Sequence, residues 1–278
     1  MKIGLLTTPF RSEDLEHVVA FASEAGFEAL EVAAGPGSAQ IDPGVLTEGQ
    51  AEKIGRLLKK KGLVLSSLAY YANVVDPDAE KREAVHRHLR VAVDAAGPLG
   101  TDIVCTLAGM PVPGKDKMQT IEEDVPGALG PIVEYAASKG VKIALENWYA
   151  TNIQHLEHWE RLFQLIPAEN FGLNFDPSHL YWQQIDYLEA VDRFADRIFH
   201  THAKDCEVRA HRLRVVGVQE RGWWRYVIPG FGKIHWGEYI AALKRNGYDG
   251  VLSIEHEDSA LGREEGFVKG LEHLKQFA

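Results

Sequence analysis

Only two cysteines, Cys105 and Cys206, occur in 278 residues. A pair so far apart makes neither a disulfide framework nor a Cys-based zinc module, so a reducing, cytoplasmic setting is the expectation. No apolar run approaches the roughly 20 residues that span a bilayer. The opening MKIGLLTTPFRSEDLEH has a short apolar run followed at once by an acidic amphipathic stretch. It reads as a first strand and helix rather than a signal peptide. Positive charge is also in short supply, with 30 Lys and Arg against 40 Asp and Glu, a formal net charge of −10. That balance argues against nucleic acid and anionic membranes as partners. An anionic small molecule stays compatible, because a bound metal inverts the local field. Several motifs are missing: no G-x-G-x-x-G opens a helix, no G-x-S-x-G marks a nucleophile elbow, and no C-x-x-C is present. The GPGS at Gly35–Ser38 has neither the Lys nor the length of a P-loop. There is no Pro/Ser-rich linker, so residues 1–278 are expected to form one domain.

What is present is an ordinary globular composition, 45% apolar and 25% charged, in a chain long enough to bury a core without staples. Short apolar runs alternate with longer helical patterns. Strands are expected near Ile3–Thr8, Ala29–Ala33, Val64–Ala69, Ile103–Ala108, Lys142–Asn147, Gly172–Asp176, Ile198–Lys204 and Val251–His256. Most are apolar on both parities, as parallel strands covered on both faces require. Ser12 is a candidate N-cap, and Thr47 with Gln50 and Thr120 with Glu123 read as capping boxes. Val85, Leu89, Ala92, Val93 and Ala96 form one buried stripe on the third helix. In EAGFEAL, KKGLVL, PLGTDIV, SKGVKIAL and NGYDGVL a Gly separates helix from strand, as a left-handed C-cap would. The first four of these glycines are 36, 38 and 40 residues apart, one βα unit each. Eight such units predict an α/β fold, a closed (β/α)8 TIM barrel. One segment breaks the rhythm: Asp205–Trp236, rich in Arg, Gly and Trp, reads as a long loop on the C-terminal face.

Charged residues inside apolar strands are the chemical signal. Glu146 interrupts VKIALENW, and Asp176 ends FGLNFDPSH. His200, His202 and Lys204 share one parity of IFHTHAKD, and Glu255 and Glu257 share one parity of VLSIEHED. In a barrel these strand ends converge on one mouth. Carboxylates meeting there repel unless a cation neutralises them. With an imidazole they make a hard, oxygen-rich set suited to one divalent ion, Mn2+, Mg2+ or Co2+, with Zn2+ also acceptable.

The segments ALEN, FDPSH, HTHAKD, PGFGKIHW and SIEHED resemble the xylose-isomerase-like barrels of the sugar phosphate isomerase/epimerase superfamily. The resemblance implies that Glu146, Asp176, His202 and Glu255 bind one divalent metal, most often Mn2+. It picks His202 over His200. It implies that Glu146 and Glu255 also act as acid and base on opposite faces of the substrate, and it sets His179 beside metal and substrate. The implied activity is isomerisation or epimerisation of a keto sugar or related polyol, by proton abstraction next to a carbonyl through an enediolate. A lyase alternative, dehydrating an inosose or cleaving a 3-keto-glycoside, uses the same site. An endonuclease IV-like repair enzyme shares the superfamily fold, but the acidic charge opposes it. Lys204, Arg209, Trp148 and Trp224 are candidates for binding the small-molecule sugar. Trp223 and Arg225 lie in the long loop, and His256 points away on the opposite parity to Glu255. A homodimer or homotetramer is implied by resemblance alone.

Overall fold

A computed structural model describes residues 1–278. Its strands are β1 (Lys2–Leu6), β2 (Ala29–Ala33), β3 (Val64–Ala69), β4 (Ile103–Leu107), β5 (Lys142–Glu146), β6 (Phe171–Phe175), β7 (Ile198–Ala203), β8 (Asp205–Val208), β9 (Trp224–Val227) and β10 (Val251–Ile254). Eight of them close a barrel in the order β1-β10-β7-β6-β5-β4-β3-β2, all pairings parallel. All eight expected strands are present, most of them ending a residue or two earlier than the sequence pattern suggests. The helices between them include α1 (Leu15–Ala25), α2 (Glu48–Lys60) and α3 (Ala79–Leu99). The single-domain TIM barrel is therefore the fold. No helix is long and apolar enough to cross a membrane.

The helix boundaries follow local chemistry. Gly26, Gly62, Gly100, Gly140 and Gly247 all have positive φ, from 69° to 89°. Each turns the chain into the next strand through a conformation that a Cβ disfavours. Leu89, Ala92, Val93 and Ala96 are buried, and Val85 packs on them from the edge of the core. The box of Thr47 and Gln50 is formed in both directions. Two expected caps are displaced. Asp14, not Ser12, caps α1 by accepting from His17 N at 2.8 Å. The second box belongs to Asp116 and Gln119, while Thr120 lies buried inside the helix and Glu123 pairs with Lys115 at 3.0 Å. In both places a carboxylate nearby outcompetes a hydroxyl as acceptor for the first-turn N–H groups.

Between barrel and helices lies one apolar cluster of 64 buried residues. Inside the barrel the apolar content is slight: Leu6, Ala69, Cys105 and Ala144. The rest of the lumen is polar, with Glu31, Ser67, Asn174, His200, His202 and Ser253 all buried. Several strands are thus apolar only on the outer face, and their inward parity carries the chemistry. A register shift at Leu30/Glu31 leaves Ser66 opposite no partner, a bulge that turns its hydroxyl toward His200 Nε2 at 3.0 Å.

The Asp205–Trp236 segment is ordered rather than a structureless loop. β8 and β9 pair antiparallel, with a short helix at Ala210–Val216 between them. The turn that follows wraps one carboxylate. Asp205, 1% exposed, accepts from the backbone N–H groups of Cys206, Gly230, Gly232, Lys233 and Ile234, and from Trp236 Nε1, at 2.8–3.2 Å. A Cβ at Gly232 would run into that carboxylate, which accounts for the second Gly of PGFGKIHW. Asp205→Ala leaves these buried donors without their acceptor. It should destabilise the protein by about 3 kcal/mol or more. An unchanged urea midpoint in that variant would show that the turn holds without its hub.

Candidate active site

Rigid elements aim each side chain at the C-terminal mouth. Glu146 is the last residue of β5. Asn147, next in sequence, accepts from Asp176 N at 2.7 Å and donates to Asp176 O at 2.9 Å, so the ends of β5 and β6 are clamped together. Asp176 itself caps a five-residue helix (Pro177–Tyr181): its Oδ1 accepts from Ser178 N at 2.8 Å. That leaves Oδ2 turned to the mouth. His202 lies on β7, opposite Ser253 of β10, and Glu255 follows β10 directly.

The structure brings these four residues together. Glu146, Asp176, His202 and Glu255 each offer one atom, all within 4.8 Å of one another. His202 Nδ1 lies 3.1 Å from Glu255 Oε2 and 3.6 Å from Glu146 Oε1. Lys204, 1% exposed, projects into the same space. Its Nζ is 2.5 Å from Glu255 Oε2, 3.2 Å from Asp176 Oδ2, 3.6 Å from Glu257 and 3.8 Å from Glu146. His179 joins them, with Nε2 3.1 Å from Glu146 Oε1 and Nδ1 2.5 Å from Tyr226 Oη.

The electrostatics of this cluster run against burial. Burial alone would raise the pKa of Glu146, but the hydrogen bond from His179, the neighbouring His202 ring and the Lys204 charge hold it well below the usual carboxylate range. Glu255 is lowered against burial mainly by Lys204, and further by His202. Burial would lower Lys204, yet the carboxylates of Glu255, Asp176, Glu257 and Glu146 carry it well above its ordinary value. Glu257, at the rim, is raised by burial. One ammonium faces four carboxylates, so negative charge is in excess. Two buried atoms, Asp176 Oδ2 and His202 Nδ1, have no hydrogen bond. A divalent cation fits this donor set: it would take up the orphaned oxygen and nitrogen and offset the surplus charge.

An aromatic wall stands beside the cluster. Trp224 stacks on Trp182 with centroids 4.3 Å apart, and Tyr149 meets both edge-on. Trp148 packs against Tyr149. Tyr226, on β9, lies under the Lys204 ammonium at 4.6 Å. Trp223 is buried behind, edge-on to Trp182. Arg209 is not brought in. It is 42% exposed and pairs with Glu207 at 3.4 Å. Arg225 bridges Glu207 and Asp258. His256 packs on Phe267, outside the mouth. His200 sits deeper in the barrel, between Asn174 and Ser66.

The sequence pattern passed over Tyr226, Tyr149, Trp182 and Glu31. Glu31 carried the same signal as Glu146, a carboxylate inside an apolar strand (ALEVA), but in the first half of the chain. Its pKa would be raised by burial, and the charges of His202 and His200 hold it down at about 2. The aromatics carried no such signal, since a Tyr or Trp in a loop has many structural uses.

A closed parallel barrel with carboxylates, imidazole and ammonium gathered at its C-terminal mouth has the build of a TIM-barrel enzyme site. The chain belongs to the xylose isomerase-like TIM barrel family, whose model matches residues 19–277. It is 29% identical to protein YfiH of Bacillus subtilis, covering 99% of each chain. It is 24% identical to an inosose dehydratase of Salmonella typhimurium, covering 92% of this chain and 89% of that one. Among solved structures it superposes on an IolI protein with a bound zinc atom at TM-score 0.78 and 18% identity, covering 100% and 99% of the two chains. It superposes on 3-keto-D-glucoside 4-epimerase YcjR of E. coli at TM-score 0.75 and 18% identity, covering 99% of each. At these identities the two superpositions establish the fold.

Lys204 has a measurable consequence in chelator-treated protein. The lowered carboxylates, Glu146 and Glu255, contribute stability that is present above their unfolded pKa and is lost as pH falls through their folded values. Lys204→Met removes the cation that lowers them. The metal-free variant should lose about 3 kcal/mol at pH 7, and its deficit against wild type should shrink toward pH 3. Urea melts at the two pH values check this, and an equal deficit at both would rule out the charge-pairing role.

Proposed function

We propose that the protein is a divalent-metal-dependent isomerase or epimerase that acts on a keto sugar or related polyol by moving a proton on a carbon beside a carbonyl. The observation that carries this is the convergence of Glu146, Asp176, His202 and Glu255 within 4.8 Å, on four successive barrel strand ends. These four would hold the ion: Asp176 Oδ2 and His202 Nδ1 make no hydrogen bond, and face Lys204 Nζ at 3.2 Å and Glu255 Oε2 at 3.1 Å. When bound, such an ion supplies Lewis-acid polarisation of a carbonyl and its neighbouring hydroxyl, which acidifies the adjoining C–H. The ion's identity is proposed as Mn2+, on the hardness of the donor set.

The protein's own groups perform the rest. β5 and β10 stand three places apart around the barrel, with β6 and β7 between them. Glu146 and Glu255 therefore approach the mouth from different walls. Both are held anionic, the state a base requires. One, as its anion, removes the proton; the other takes up a proton from solvent or a substrate hydroxyl and then delivers it from its own side, which inverts the carbon. Lys204 Nζ, bonded to Glu255 Oε2 and 3.3 Å from His179 Nε2, orients the carboxylate and would donate to a substrate oxygen. Trp224, Trp182 and Trp148 offer faces and edges for the apolar side of a sugar ring.

A second reading, elimination from an inosose or a 3-keto-glycoside, starts with the same proton abstraction. Lys204 favours it, because elimination also needs an acid for the departing oxygen. The relationship to inosose dehydratases points the same way.

In D2O with Mn2+, the wild-type protein should wash deuterium into its substrate. Glu146→Gln and Glu255→Gln should each slow that exchange at least about 100-fold. EDTA should abolish it, and Mn2+ should restore it. Full exchange in either variant would remove its residue from the proton-moving role. Panels of ketoses, inososes and 3-keto-glycosides, read by NMR, separate an epimer from an eliminated product.

A further inference from the structure

We infer that Glu31 is a positioning residue for the metal centre: from β2, across the barrel, it holds the far side of the His202 ring so that Nδ1 is the nitrogen offered at the mouth. The inference rests on the proposed metal site and concerns a residue outside it. His202 Nε2 lies 3.0 Å from Glu31 Oε2, 3.0 Å from Asn174 Nδ2 and 3.1 Å from the Tyr71 hydroxyl; of the three only the Glu31 carboxylate is purely an acceptor, so an Nε2–H is directed to it, while Asn174 Nδ2 is satisfied by the Tyr71 oxygen. His202 Nδ1 faces Glu255 and Glu146 and has no hydrogen bond of its own. An imidazole whose Nε2–H is held by a carboxylate presents Nδ1 as a lone pair, in a fixed ring orientation, to whatever binds in front of it.

Glu31 is itself fixed for this task. Ser253 Oγ donates to the same Oε2 at 2.7 Å, and the Tyr71 hydroxyl donates to Oε1. Asn174 Nδ2 donates to the Tyr71 oxygen at 2.9 Å. All of Glu31, Ser253 and His202 are fully buried, so no water competes for these bonds.

A rival role for Glu31 is ligation, since its carboxylate, Cys105 and His200 also lie within 4.8 Å of one another. The contacts oppose that role. Both ring nitrogens of His200 are engaged, by Asn174 Oδ1 and Ser66 Oγ, each at 3.0 Å. Both Glu31 oxygens have donors. Burial and the neighbouring Glu31 charge keep the Cys105 thiol protonated.

The test is calorimetric titration of chelator-stripped protein with Mn2+, with circular dichroism as the check on folding. Glu31→Gln should weaken Mn2+ binding about 10- to 100-fold. Tyr71→Phe and Ser253→Ala keep the carboxylate and loosen it, and each should weaken Mn2+ binding several-fold. They decide the matter if Glu31→Gln does not fold. A merely structural Glu31 would lower the urea midpoint and leave Mn2+ affinity untouched, and that result in the folded variants overturns the inference. Failure of wild-type protein to bind Mn2+, Mg2+, Co2+ or Zn2+ overturns the metal site itself. Tight wild-type binding with unchanged variants overturns only the role of Glu31.

Discussion

Three carboxylates share one mouth with a single ammonium, with a fourth, Glu257, at its rim, and much of the structure around them manages that charge. Like charges at this separation in a low-dielectric pocket repel by several kcal/mol. Lys204 relieves part of the repulsion at distances of 2.5–3.8 Å. The remainder is the physical basis for a cation. A lysine here is also an alternative to the ion: it sits against the same Asp176 and Glu255 oxygens that a metal would use.

Excess charge is useful only if the groups stay in place, and the scaffold that holds them is local. The side chain of Asn147 ties together the strand ends that carry Glu146 and Asp176. The helix cap at Ser178 commits one Asp176 oxygen and leaves the other free. Asp205, immediately after Lys204, gathers the N–H groups of the returning turn. At Asn147 and Asp205 a residue beside a functional one directs its hydrogen bonds to backbone, and at Asp176 the functional side chain commits one oxygen to its own helix cap. That pattern accounts for motifs such as ALEN and HTHAKD, where the neighbour matters as much as the charged residue.

The barrel was legible because its signals are periodic and repeated: eight apolar runs, and glycines at nearly constant spacing. The mouth was legible because a charge in an apolar strand is expensive and needs a reason. Glu31 shows the limit of that argument. It obeys the same rule, but its partners are 40, 171 and 222 residues away, and only the closed barrel reveals them. Displaced caps at Asp14 and Asp116 have a simpler cause: where a hydroxyl and a carboxylate stand within a turn of each other, pattern alone does not choose between them. Arg209 illustrates the converse. Position in a loop near the mouth suggested a substrate contact, and a neighbouring acid, Glu207, claims the guanidinium instead.

The division of labour around the mouth bears on how such a site changes its substrate. Glu146, Asp176, His202 and Glu255 sit on, or one residue beyond, barrel strands. The groups that would touch the rest of a substrate are different in kind. Tyr226 and Trp224 ride on the β8–β9 hairpin, whose link to the barrel is the strand end at Lys204 and the turn around Asp205. Trp224 meets only other aromatic rings, so exchanging it alters the shape of the pocket without touching its charge, whereas Tyr226 also contacts His179 and Lys204. On the proposed function, a barrel built this way would keep enolisation constant and vary what is enolised. The choice between epimer and eliminated product would then fall to Lys204 and His179, which stand where the rigid wall and the hairpin meet.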